Sequence, residues 1–438
     1  MTKRPNILYI HSHDTGRYVQ PYGHAIETPN LQKLAKEGVL FRQAFTPNPT
    51  CSPSRACLLT GQTAHSNGML GLAHRGFSLY DYSHHIIHTL KTVGYTSALC
   101  GIQHIAGGST PWKTIGYDEC PTASGAAEAH TAAIEYLNNT PSQPFFLSVG
   151  FFNTHRVFPV DHPKDDARYV MPPSPLPDTP ETREDMARFK QSARTLDDKI
   201  GQVLAALDCN GLTDNTLVIC TTDHGIAFPR MKCNLQDSGT GIMLIMRGPN
   251  GFSGGKVVDS MISNIDLFPS VCDYLGINPP ARLEGTSFMP IIRGERDRVN
   301  DALFFEVNYH AAFEPMRAVR TERYKYIVRY DPRHAPVLPN CDAGLSKTVW
   351  VEHGWQAYAP ATDALYDLVM DPHETNNLVQ DNAHATVLAD MKQRLATWQH
   401  ATSDPLVTTG KVPLPSTAIC NPRDGIDPGD DTLPQGTR

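Results

Sequence analysis

The sequence predicts an α/β protein in which a large, mostly parallel sheet is covered on both faces by helices. A smaller antiparallel sheet with one helix is expected to follow it. Two observations lead to this fold class. Over about the first 295 residues, short apolar runs alternate with amphipathic helix-like runs, a pattern typical of parallel sheets with helical connections. Beyond that point, three strand-like runs are joined by short turns, and one amphipathic helix follows them.

The length and this change of pattern predict three parts. A chain of 438 residues is too long for one simple core. We expect a large α/β domain over residues 1–295, which carries the candidate site, and a smaller α+β subdomain over residues 296–402. Residues 403–438 are rich in Pro, Gly and Asp, so an extended tail is expected there, either disordered or lying along a surface.

Five apolar runs are the predicted strands of the large sheet. Thr28 and Pro29 are expected to open a first helix that Gly38 ends. A helix is also predicted over 85–92, and the clearest one over 182–208 has apolar residues every three or four positions, with Gly211 closing it. The predicted strands of the large sheet are 6–10, 96–100, 144–150, 216–220 and 241–246. In the second part they are 303–307, 316–321 and 324–329, followed by a helix over 383–400.

Composition excludes several classes of function. Hydrophobic residues make up 40% and charged residues 19% of the chain, as in globular proteins. A net charge of -7 gives no basic surface for nucleic acid, so an anionic ligand would have to be held by local basic residues. No apolar run approaches the roughly 20 residues of a membrane span.

Cysteine usage and the N-terminal sequence together predict the cellular compartment. Ten cysteines without close C-x-x-C pairs fit reduced thiols, and four of them lie among apolar residues and are expected in the core: Cys57, Cys100, Cys220 and Cys272. The first apolar run is too short for a signal-peptide core, and no small-residue cleavage site follows it. A cytoplasmic protein is the resulting expectation.

Acid and histidine pairs follow two of the predicted strands. His13 and Asp14 come directly after the first strand, and Asp223 and His224 come after the 216–220 strand. Ligands of open α/β sheets bind at the carboxyl ends of strands, so both pairs could converge on one metal. Either pair alone is more readily explained as ordinary loop capping, because Asp commonly caps turns.

The most specific pattern is the run that begins at Cys51 and reads C-x-P-S-R-x-x-x-L-T-G. A buried cysteine at a helix start, with Pro53 in its first turn, would be the ordinary structural explanation. The full run instead resembles the modification signature of the type I sulfatases. In that family the motif cysteine is oxidised to formylglycine, whose hydrated aldehyde is the nucleophile and can expel sulfate by re-forming the aldehyde.

Further segments extend this resemblance along the whole chain. Together they resemble the sulfatase branch of the alkaline phosphatase superfamily, and within it the heparan N-sulfatase (sulfamidase) group. The family-wide segments are 4–8, 28–31, 222–225, 366–367 and 371–374, together with Lys232. The sulfamidase-like segments are 67–69, 315–317, 371–375 and 402–405.

The resemblance implies a nucleophile and a metal site. Cys51, as formylglycine, would be both nucleophile and metal ligand, and Asp14 and Asp223 would be metal ligands. His13 and His224 are candidate ligands beside them. One divalent cation is expected, with Ca²⁺ favoured by the resemblance, while two imidazoles would suit Mn²⁺ or Zn²⁺.

The resemblance also implies the residues that act on the sulfate. Arg55 would hold the hydrated formylglycine, and His104 would help it lose its proton. His155 would lie beside the leaving group, and Lys232 would hold the sulfate and the bridging atom, where a cation lowers the cost of developing negative charge. A separate stretch around 309–317 resembles the sulfamidase substrate rim, so His310 and Arg317 are predicted substrate contacts.

Three positions depart from the family pattern. The family usually has Asp where this chain has His13, usually Asn and sometimes His at the position of His224, and Lys at the position of Ile102. The last change removes one cation from the sulfate site. Gln103 or a residue from elsewhere would have to compensate.

Three functions therefore stay open at this point. The first is a formylglycine sulfatase acting on a sulfate ester or sulfamate, with a carbohydrate such as a glucosamine N-sulfate favoured as substrate. The second is a phosphonate or phosphate diester hydrolase of the same superfamily. The third is a non-catalytic binder of sulfated ligands. The expected partners are a sulfated small molecule or saccharide and a formylglycine-generating enzyme, with neither nucleic acid nor membrane, and a homo-oligomer is compatible with the sequence.

Overall fold

The computed structural model describes residues 4–123 and 127–429. Within these residues no helix is both long and apolar enough to span a lipid bilayer. Residues 430–438 of the predicted tail lie outside the described residues.

Twelve strands occur in the described residues and form two sheets. They are β1 (Asn6–Ser12), β2 (Val39–Phe45), β3 (Thr96–Gly101), β4 (Phe145–Gly150), β5 (Thr216–Thr222), β6 (Gly241–Ile242), β7 (Leu244–Arg247), β8 (Lys256–Ser263), β9 (Leu303–Tyr309), β10 (Phe313–Arg320), β11 (Tyr324–Arg329) and β12 (Asp363–Asp367). The main sheet has the order β3-β4-β1-β5-β7-β2-β6, and β8 pairs with β2. Pairs β3–β4, β4–β1, β1–β5 and β2–β8 are parallel, and the other three are antiparallel. The predicted fold class is confirmed.

Helices cover both faces of this sheet. The helices of the described residues, including those of the second part and the tail, are α1 (Pro29–Glu37), α2 (Cys51–Thr60), α3 (Ala64–Asn67), α4 (Ile86–Lys91), α5 (Pro111–Ile115), α6 (Ala129–Asn138), α7 (Pro180–Cys209), α8 (Asp237–Thr240), α9 (Leu267–Leu275), α10 (Met289–Ile292), α11 (Leu345–Glu352), α12 (Ala385–Ala401) and α13 (Pro405–Thr408). Along β1, Ile7 and Tyr9 belong to one apolar core, while Leu8 and Ile10 belong to the other. Because both faces are buried, the strand is apolar at successive positions rather than alternating.

The first helix begins where the sequence predicts, but its N-terminus is held differently. Thr28 occupies the N-cap position, yet its hydroxyl accepts a hydrogen bond from the Gln20 amide at 2.9 Å and caps nothing in α1. The carboxylate of Asp197, on α7, instead accepts the amides of Asn30 and Leu31 at 3.0 and 2.8 Å. A partner 167 residues away therefore satisfies the free amides at this helix end.

Two strands of the main sheet are missing from the sequence prediction. Strand β2 follows α1 after Gly38 alone, and the helical pattern of α1 obscures its start. Strand β8 has exposed side chains at Lys256, Val257 and Asp259, so it lacks the apolar run of a buried strand. The two strands pair with each other in parallel, with a register irregularity between Phe41 and Gln43.

The second sheet is antiparallel, as predicted, and has the order β12-β11-β10-β9, but its edge strand β12 was missing from the sequence prediction. On one face, Val319, Tyr326 and Leu365 pack against Met391 and Leu395 of α12. The opposite face joins the main sheet through an apolar cluster that contains Phe45, Leu235, Met261, Phe305 and Met316. This contact places the second sheet beside the loops that carry the candidate site.

The tail after α12 lies along the protein surface as far as residue 429 is described. Val412, Ala418 and Cys420 are buried in the apolar core of one face of the main sheet. The Ile419 amide donates to the Arg75 carbonyl at 2.9 Å, and Arg75 Nη1 donates to Asn421 Oδ1 at 2.7 Å.

Candidate active site

The two acid and histidine pairs lie side by side at the carboxyl end of the main sheet. Strands β1 and β5 are parallel neighbours, with Ser12 opposite Thr222, so the residues after each strand leave the sheet at the same edge. The Asp14 amide donates to Asp223 Oδ1 at 2.8 Å, which ties the two loops together. Asp14 adopts a left-handed backbone conformation with φ of 50°, uncommon for a residue other than glycine.

Helix α2 brings Cys51 against both pairs. The Cys51 Sγ lies 3.3 Å from His224 Nε2 and 4.0 Å from Asp14 Oδ1. Cys51 is the first residue of the helix and Pro53 the third, and every residue of α2 is buried. Burial raises the pKa of the Cys51 thiol well above its usual value, so the unmodified side chain stays neutral.

Arg55 lies one helical turn beyond Cys51 and connects helix α2 to the ends of strands β1 and β5. Its Nη2 donates to Asp223 Oδ2 at 2.9 Å and to the Ser12 carbonyl at 2.7 Å, and its Nη1 contacts His11 Nδ1. Burial alone would raise the pKa of Asp223, but His224, Arg55 and His13 together lower it far below the usual range. The Asp223 carboxylate is therefore ionised inside the protein.

The donor groups around Cys51 fit a metal ion. Ligand atoms of His13, Asp14, Cys51 and Asp223 all lie within 4.8 Å of one another and are buried. Neither ring nitrogen of His13 has a hydrogen-bond partner among the described residues, although Nδ1 lies 3.2 Å from Asp223 Oδ2. Burial, with a contribution from Arg55, lowers the pKa of His13 to about 4. A buried, neutral imidazole beside a carboxylate is suited to bind a metal.

His224 is oriented in the same way. Its Nδ1 hydrogen donates to the Gly225 carbonyl at 2.9 Å, so Nε2 carries the lone pair, which faces Cys51 Sγ at 3.3 Å. This Nε2 lies 3.4 Å from Asp14 Oδ1 and 3.7 Å from Asp223 Oδ2. A backbone carbonyl that fixes the tautomer of a ligand histidine is a common arrangement around protein metals.

Lys232 and His155 both approach the Oδ2 oxygen of Asp14. Lys232 Nζ lies 3.0 Å from Asp14 Oδ2 and 2.7 Å from Asp342 Oδ2. Burial would lower the pKa of Lys232, but the two carboxylates raise it well above its usual value, so the ammonium stays charged. His155 Nδ1 donates to the Arg156 carbonyl at 2.6 Å, and its Nε2 points toward Asp14 Oδ2 at 4.0 Å.

His104 lies beside Cys51 and His13, as the sequence predicts, and a second histidine supports it. His104 Nε2 and His74 Nδ1 are 2.9 Å apart, and the two rings are stacked with an angle of 12° between them. Burial, followed by His13, lowers the pKa of His104 well below the usual range. Sequence reasoning missed His74, which lies in a short turn without any recognisable motif.

The segment around Ile102 supplies no lysine to the site. Gln103, the neighbour that could have compensated, is occupied in its own turn: its Oε1 accepts the Ala106 amide at 2.8 Å, and its Nε2 donates to the Ala106 carbonyl at 2.8 Å. Its side chain therefore holds the turn that presents His104.

Asp342 is a site residue that sequence reasoning missed. Its carboxyl oxygen lies within 4.8 Å of ligand atoms of Asp14 and His155. Burial would raise its pKa, but Lys232, His310 and His155 hold it well below the usual value. His310 is buried close by, and its Nδ1 has no hydrogen-bond partner among the described residues. Burial, then Lys232, lowers its pKa well below the usual range.

Arg317 does not reach this site, so its predicted role as a substrate contact is corrected. The side chain is completely buried, and its Nε and Nη2 donate to the two carboxyl oxygens of Asp404 at 2.7 and 2.8 Å. Its remaining Nη1 donates to the Val307 and Met316 carbonyls. Two sulfamidase-like segments, 315–317 and 402–405, therefore bind each other.

Sequence models of two known protein families match this chain. The model described as sulfatase matches residues 5–277, and the model described as N-sulphoglucosamine sulphohydrolase, C-terminal, matches residues 231–337. The fold and the strand-end site thus define a sulfuric ester hydrolase of the alkaline phosphatase superfamily. The first match covers more than half of the 438 residues. The chain belongs to the sulfatase family.

Individual proteins are similar over most of the chain. Human (Homo sapiens) N-sulphoglucosamine sulphohydrolase is 29% identical, over 92% of this chain and 91% of its own. An ulvan-active sulfatase of Formosa agariphila is 25% identical, over 92% of this chain and 76% of its own. A solved structure described as bound to its substrate, D-glucosamine-2-N,6-O-disulfate, has a TM-score of 0.70 at 19% identity, over 92% of this chain and 99% of its own, which shows a shared fold.

Proposed function

We propose that this protein hydrolyses a sulfate ester or sulfamate of a carbohydrate, using formylglycine made from Cys51 and a divalent metal. One observation carries the proposal: the motif cysteine is buried between both acid and histidine pairs, 3.3 Å from His224 Nε2 and 4.0 Å from Asp14 Oδ1. A structural cysteine needs apolar neighbours, whereas this thiol faces ionised and metal-binding groups. That environment suits an oxidised, hydrated side chain.

The residues present fit a divalent metal and a formylglycine at position 51. A divalent metal would be held by His13, Asp14, Asp223, His224 and the oxidised residue 51, and would supply positive charge against sulfate while formylglycine supplies a nucleophilic oxygen. Ca²⁺ is favoured by the family resemblance, and the two imidazole nitrogens would suit Mn²⁺ or Zn²⁺ better. Elemental analysis of protein purified without added metal decides between these ions.

Cations in the chain balance the charge of the substrate. Arg55 is fixed by Asp223 and the Ser12 carbonyl, so it can orient residue 51 without rearrangement. Lys232 is charged and buried, and it faces the place where a sulfate would meet Cys51. Its partners Asp14 and Asp342 keep the ammonium in position before any substrate arrives.

Two histidines are placed to move protons. His104 lies beside residue 51, and its Nδ1 has no hydrogen-bond partner among the described residues, so it is available to accept a proton from the nucleophile. His155 lies on the other side of Asp14 with Nε2 facing the pocket. We assign to it the proton that an alkoxide or amine leaving group needs.

Similarity to saccharide sulfatases supports a carbohydrate substrate. The human relative is named for sulphoglucosamine, the Formosa relative for ulvan, and the structural neighbour was solved with a glucosamine disulfate. We propose a sulfated saccharide, with glucosamine N-sulfate as the first compound to assay.

A second candidate is hydrolysis of phosphonate or phosphate diesters. One feature favours it: His224 follows Asp223, at a position where the resemblance gives Asn in most sulfatases. A sulfate ester and a phosphodiester each carry one negative charge, so the missing cation at Ile102 does not by itself distinguish the two substrates.

Peptide mass spectrometry and a substrate panel test these proposals together. The protein is produced with a formylglycine-generating enzyme, and the peptide containing Cys51 is weighed. Glucosamine N-sulfate, an aryl sulfate and a phosphonate monoester are then compared. Conversion of Cys51 with desulfation of the sugar supports the first function. Conversion with turnover of the phosphonate alone supports the second, and quantitative conversion without turnover of any substrate leaves a sulfated-ligand binder.

A further inference from the structure

The base assigned to residue 51, His104, has a partner of its own. His104 Nε2 lies 2.9 Å from His74 Nδ1, and the two rings are stacked, with centroids 5.1 Å apart. A ring nitrogen of His104 also lies within 4.8 Å of Cys51 Sγ. Since Nε2 is bonded to His74, Nδ1 is the nitrogen left for residue 51. His104 reaches this position with a left-handed backbone, φ 58°, which is uncommon for a residue other than glycine.

Burial decides which nitrogen of His104 carries the hydrogen. Its Nδ1 is buried and has no hydrogen-bond partner among the described residues, so a hydrogen there would lack an acceptor, and buried donors without acceptors are costly. A hydrogen on Nε2 is instead donated to His74 Nδ1, and the bare Nδ1 can accept from a hydroxyl. His74 is exposed, so water can hold the hydrogen on its own Nε2.

The turn that carries His74 is held from two sides. On one side, the Ala73 amide donates to Ser52 Oγ at 3.0 Å, and Ser52 is the second residue of the modification motif. On the other side, the Arg75 carbonyl accepts the Ile419 amide of the C-terminal segment at 2.9 Å. His74 is therefore an exposed side chain on a backbone that the motif helix and the tail both fix.

We propose that His74 is a positioning residue for the reaction, because it fixes the His104 tautomer that accepts a proton from residue 51 and stabilises the imidazolium that results. In this step the O–H bond of the hydroxyl breaks and an N–H bond forms at His104 Nδ1. The Nε2 hydrogen of the cation is then donated to His74 in a stronger bond, since charge strengthens hydrogen bonds. A nucleophile, its base and a third group that orients the base are a recurrent catalytic arrangement. The inference rests on the proposed function of residue 51 and His104.

Two substitutions at position 74 separate this role from simple packing. In His74→Asn, the Oδ1 oxygen takes the place of Nδ1 and can accept the same hydrogen, but the stacked ring is lost. In His74→Phe, a ring can still stack on His104, but the acceptor is lost. A residue that only packs tolerates Phe better, whereas a residue that holds the tautomer tolerates Asn better.

Kinetics of fully converted protein with 4-nitrophenyl sulfate give the first test. His74→Phe should lower kcat by about tenfold or more with KM within about twofold of the parent, and His74→Asn should keep kcat within about threefold. His400→Ala, which removes an exposed histidine of α12, should match the parent. Equal losses in the Phe and Asn variants, a larger loss in Asn, or no loss in either would overturn the proposal.

Nuclear magnetic resonance tests the tautomer without any turnover. Imidazole nitrogen chemical shifts are recorded on Cys51→Ala protein with labelled histidine rings, and His104→Ala identifies the signals of His104. These should report a bare Nδ1 and a hydrogen on Nε2. Adding His74→Phe should give the averaged shifts of two tautomers, and adding His74→Asn should leave them unchanged.

This measurement separates a failure of the proposal from a failure of the proposed reaction. Because Cys51→Ala protein has no nucleophile, the shifts do not depend on conversion of residue 51 or on hydrolysis of any substrate. A hydrogen on His104 Nδ1, or shifts that His74→Phe leaves unchanged, would reject the role of His74 even if the protein is an active sulfatase. Equal thermal midpoints of the variants show that folding is unaffected.

Discussion

The buried pair of Arg317 and Asp404 allows a sharp test of how the C-terminal segment is attached. Both side chains are inaccessible to solvent, and two hydrogen bonds of 2.7 and 2.8 Å join them across 87 residues of sequence. Glu306 Oε2 lies 3.7 Å from Arg317 Nη2, so this carboxylate also compensates part of the charge of the arginine. We predict that Asp404→Leu destabilises the protein strongly because it leaves a guanidinium without its bidentate partner.

The size of this effect follows from burial. Removing one partner of a buried ion pair costs about 3–5 kcal/mol, since the other charge stays in a site of low polarity. Replacing both partners with apolar residues of similar volume is often close to neutral. The double variant Arg317→Met with Asp404→Leu should therefore recover about 2 kcal/mol or more of the loss in Asp404→Leu.

Denaturant unfolding measures these differences, with an exposed pair as the control. Arg298 and Asp301 form an ion pair whose side chains are 68% and 77% exposed, so Arg298→Met should cost at most about 1 kcal/mol. Kinetic assays of Arg317→Met accompany the unfolding curves. Its KM should stay close to the parent value because the side chain does not reach the cleft.

Two results would refute this reasoning. A double variant no more stable than Asp404→Leu would show that the cost comes from the other contacts of Asp404, with the Leu406 amide and Gln399 Nε2, and not from an unpaired guanidinium. An Arg317→Met protein with the stability of the parent and a greatly raised KM would support the substrate contact that was predicted from the sequence.

Four further outcomes are expected. Cys51→Ala should retain less than about a hundredth of the activity, with the thermal midpoint nearly unchanged; a more active variant would exclude the covalent route. His155→Ala should slow saccharide desulfation by about 10²–10⁴-fold and aryl sulfate hydrolysis far less, because only the sugar leaving group needs a proton; equal losses would withdraw this role. Burial would raise the pKa of Glu306, but His65 and Arg317 lower it from 4.5 to about 2. The ionised carboxylate therefore adds to the free energy of unfolding above pH 4.5. About 3 kcal/mol of this contribution is lost as the pH falls toward 2. Denaturant unfolding at several pH values should show that the free energy of unfolding depends less on pH in Glu306→Gln than in the parent. An unchanged pH dependence would mean that another group causes it. Removing the divalent metal with a chelator should lower the thermal midpoint of the parent protein but hardly change that of His13→Ala, which has lost a proposed ligand. Equal shifts in the two proteins would show that His13 is not a ligand.

Local patterns were enough to predict most of the large sheet and the centre of the site. Strands β1 and β5 are apolar at successive positions because both of their faces are buried, and such a run is visible without tertiary information. The pairs that follow them, such as Asp14 and Asp223, could be proposed as neighbours since parallel strands end at one edge. Strand β8 was missed because its exposed side chains give no such run.

The remaining site residues depend on contacts between distant loops. Asp342 lies 110 residues from its partner Lys232, and His74 lies 30 residues from His104. Neither follows a strand or belongs to a motif, so nothing local distinguishes them from other polar loop residues. Their positions are decided by the packing of the second sheet and the turns against the first.

Arg317 shows the same dependence on distant contacts, because it was predicted to be a site residue and lies outside the site. By itself, the sequence predicted the fold class, a family motif at Cys51 and the strand ends that carry the candidate site. Whether an arginine near a family motif binds a ligand or a carboxylate 87 residues away was decided only by the folded chain. The physical reason is that a charge can be buried only where a partner of opposite sign is brought to it, and that pairing is a property of the tertiary structure.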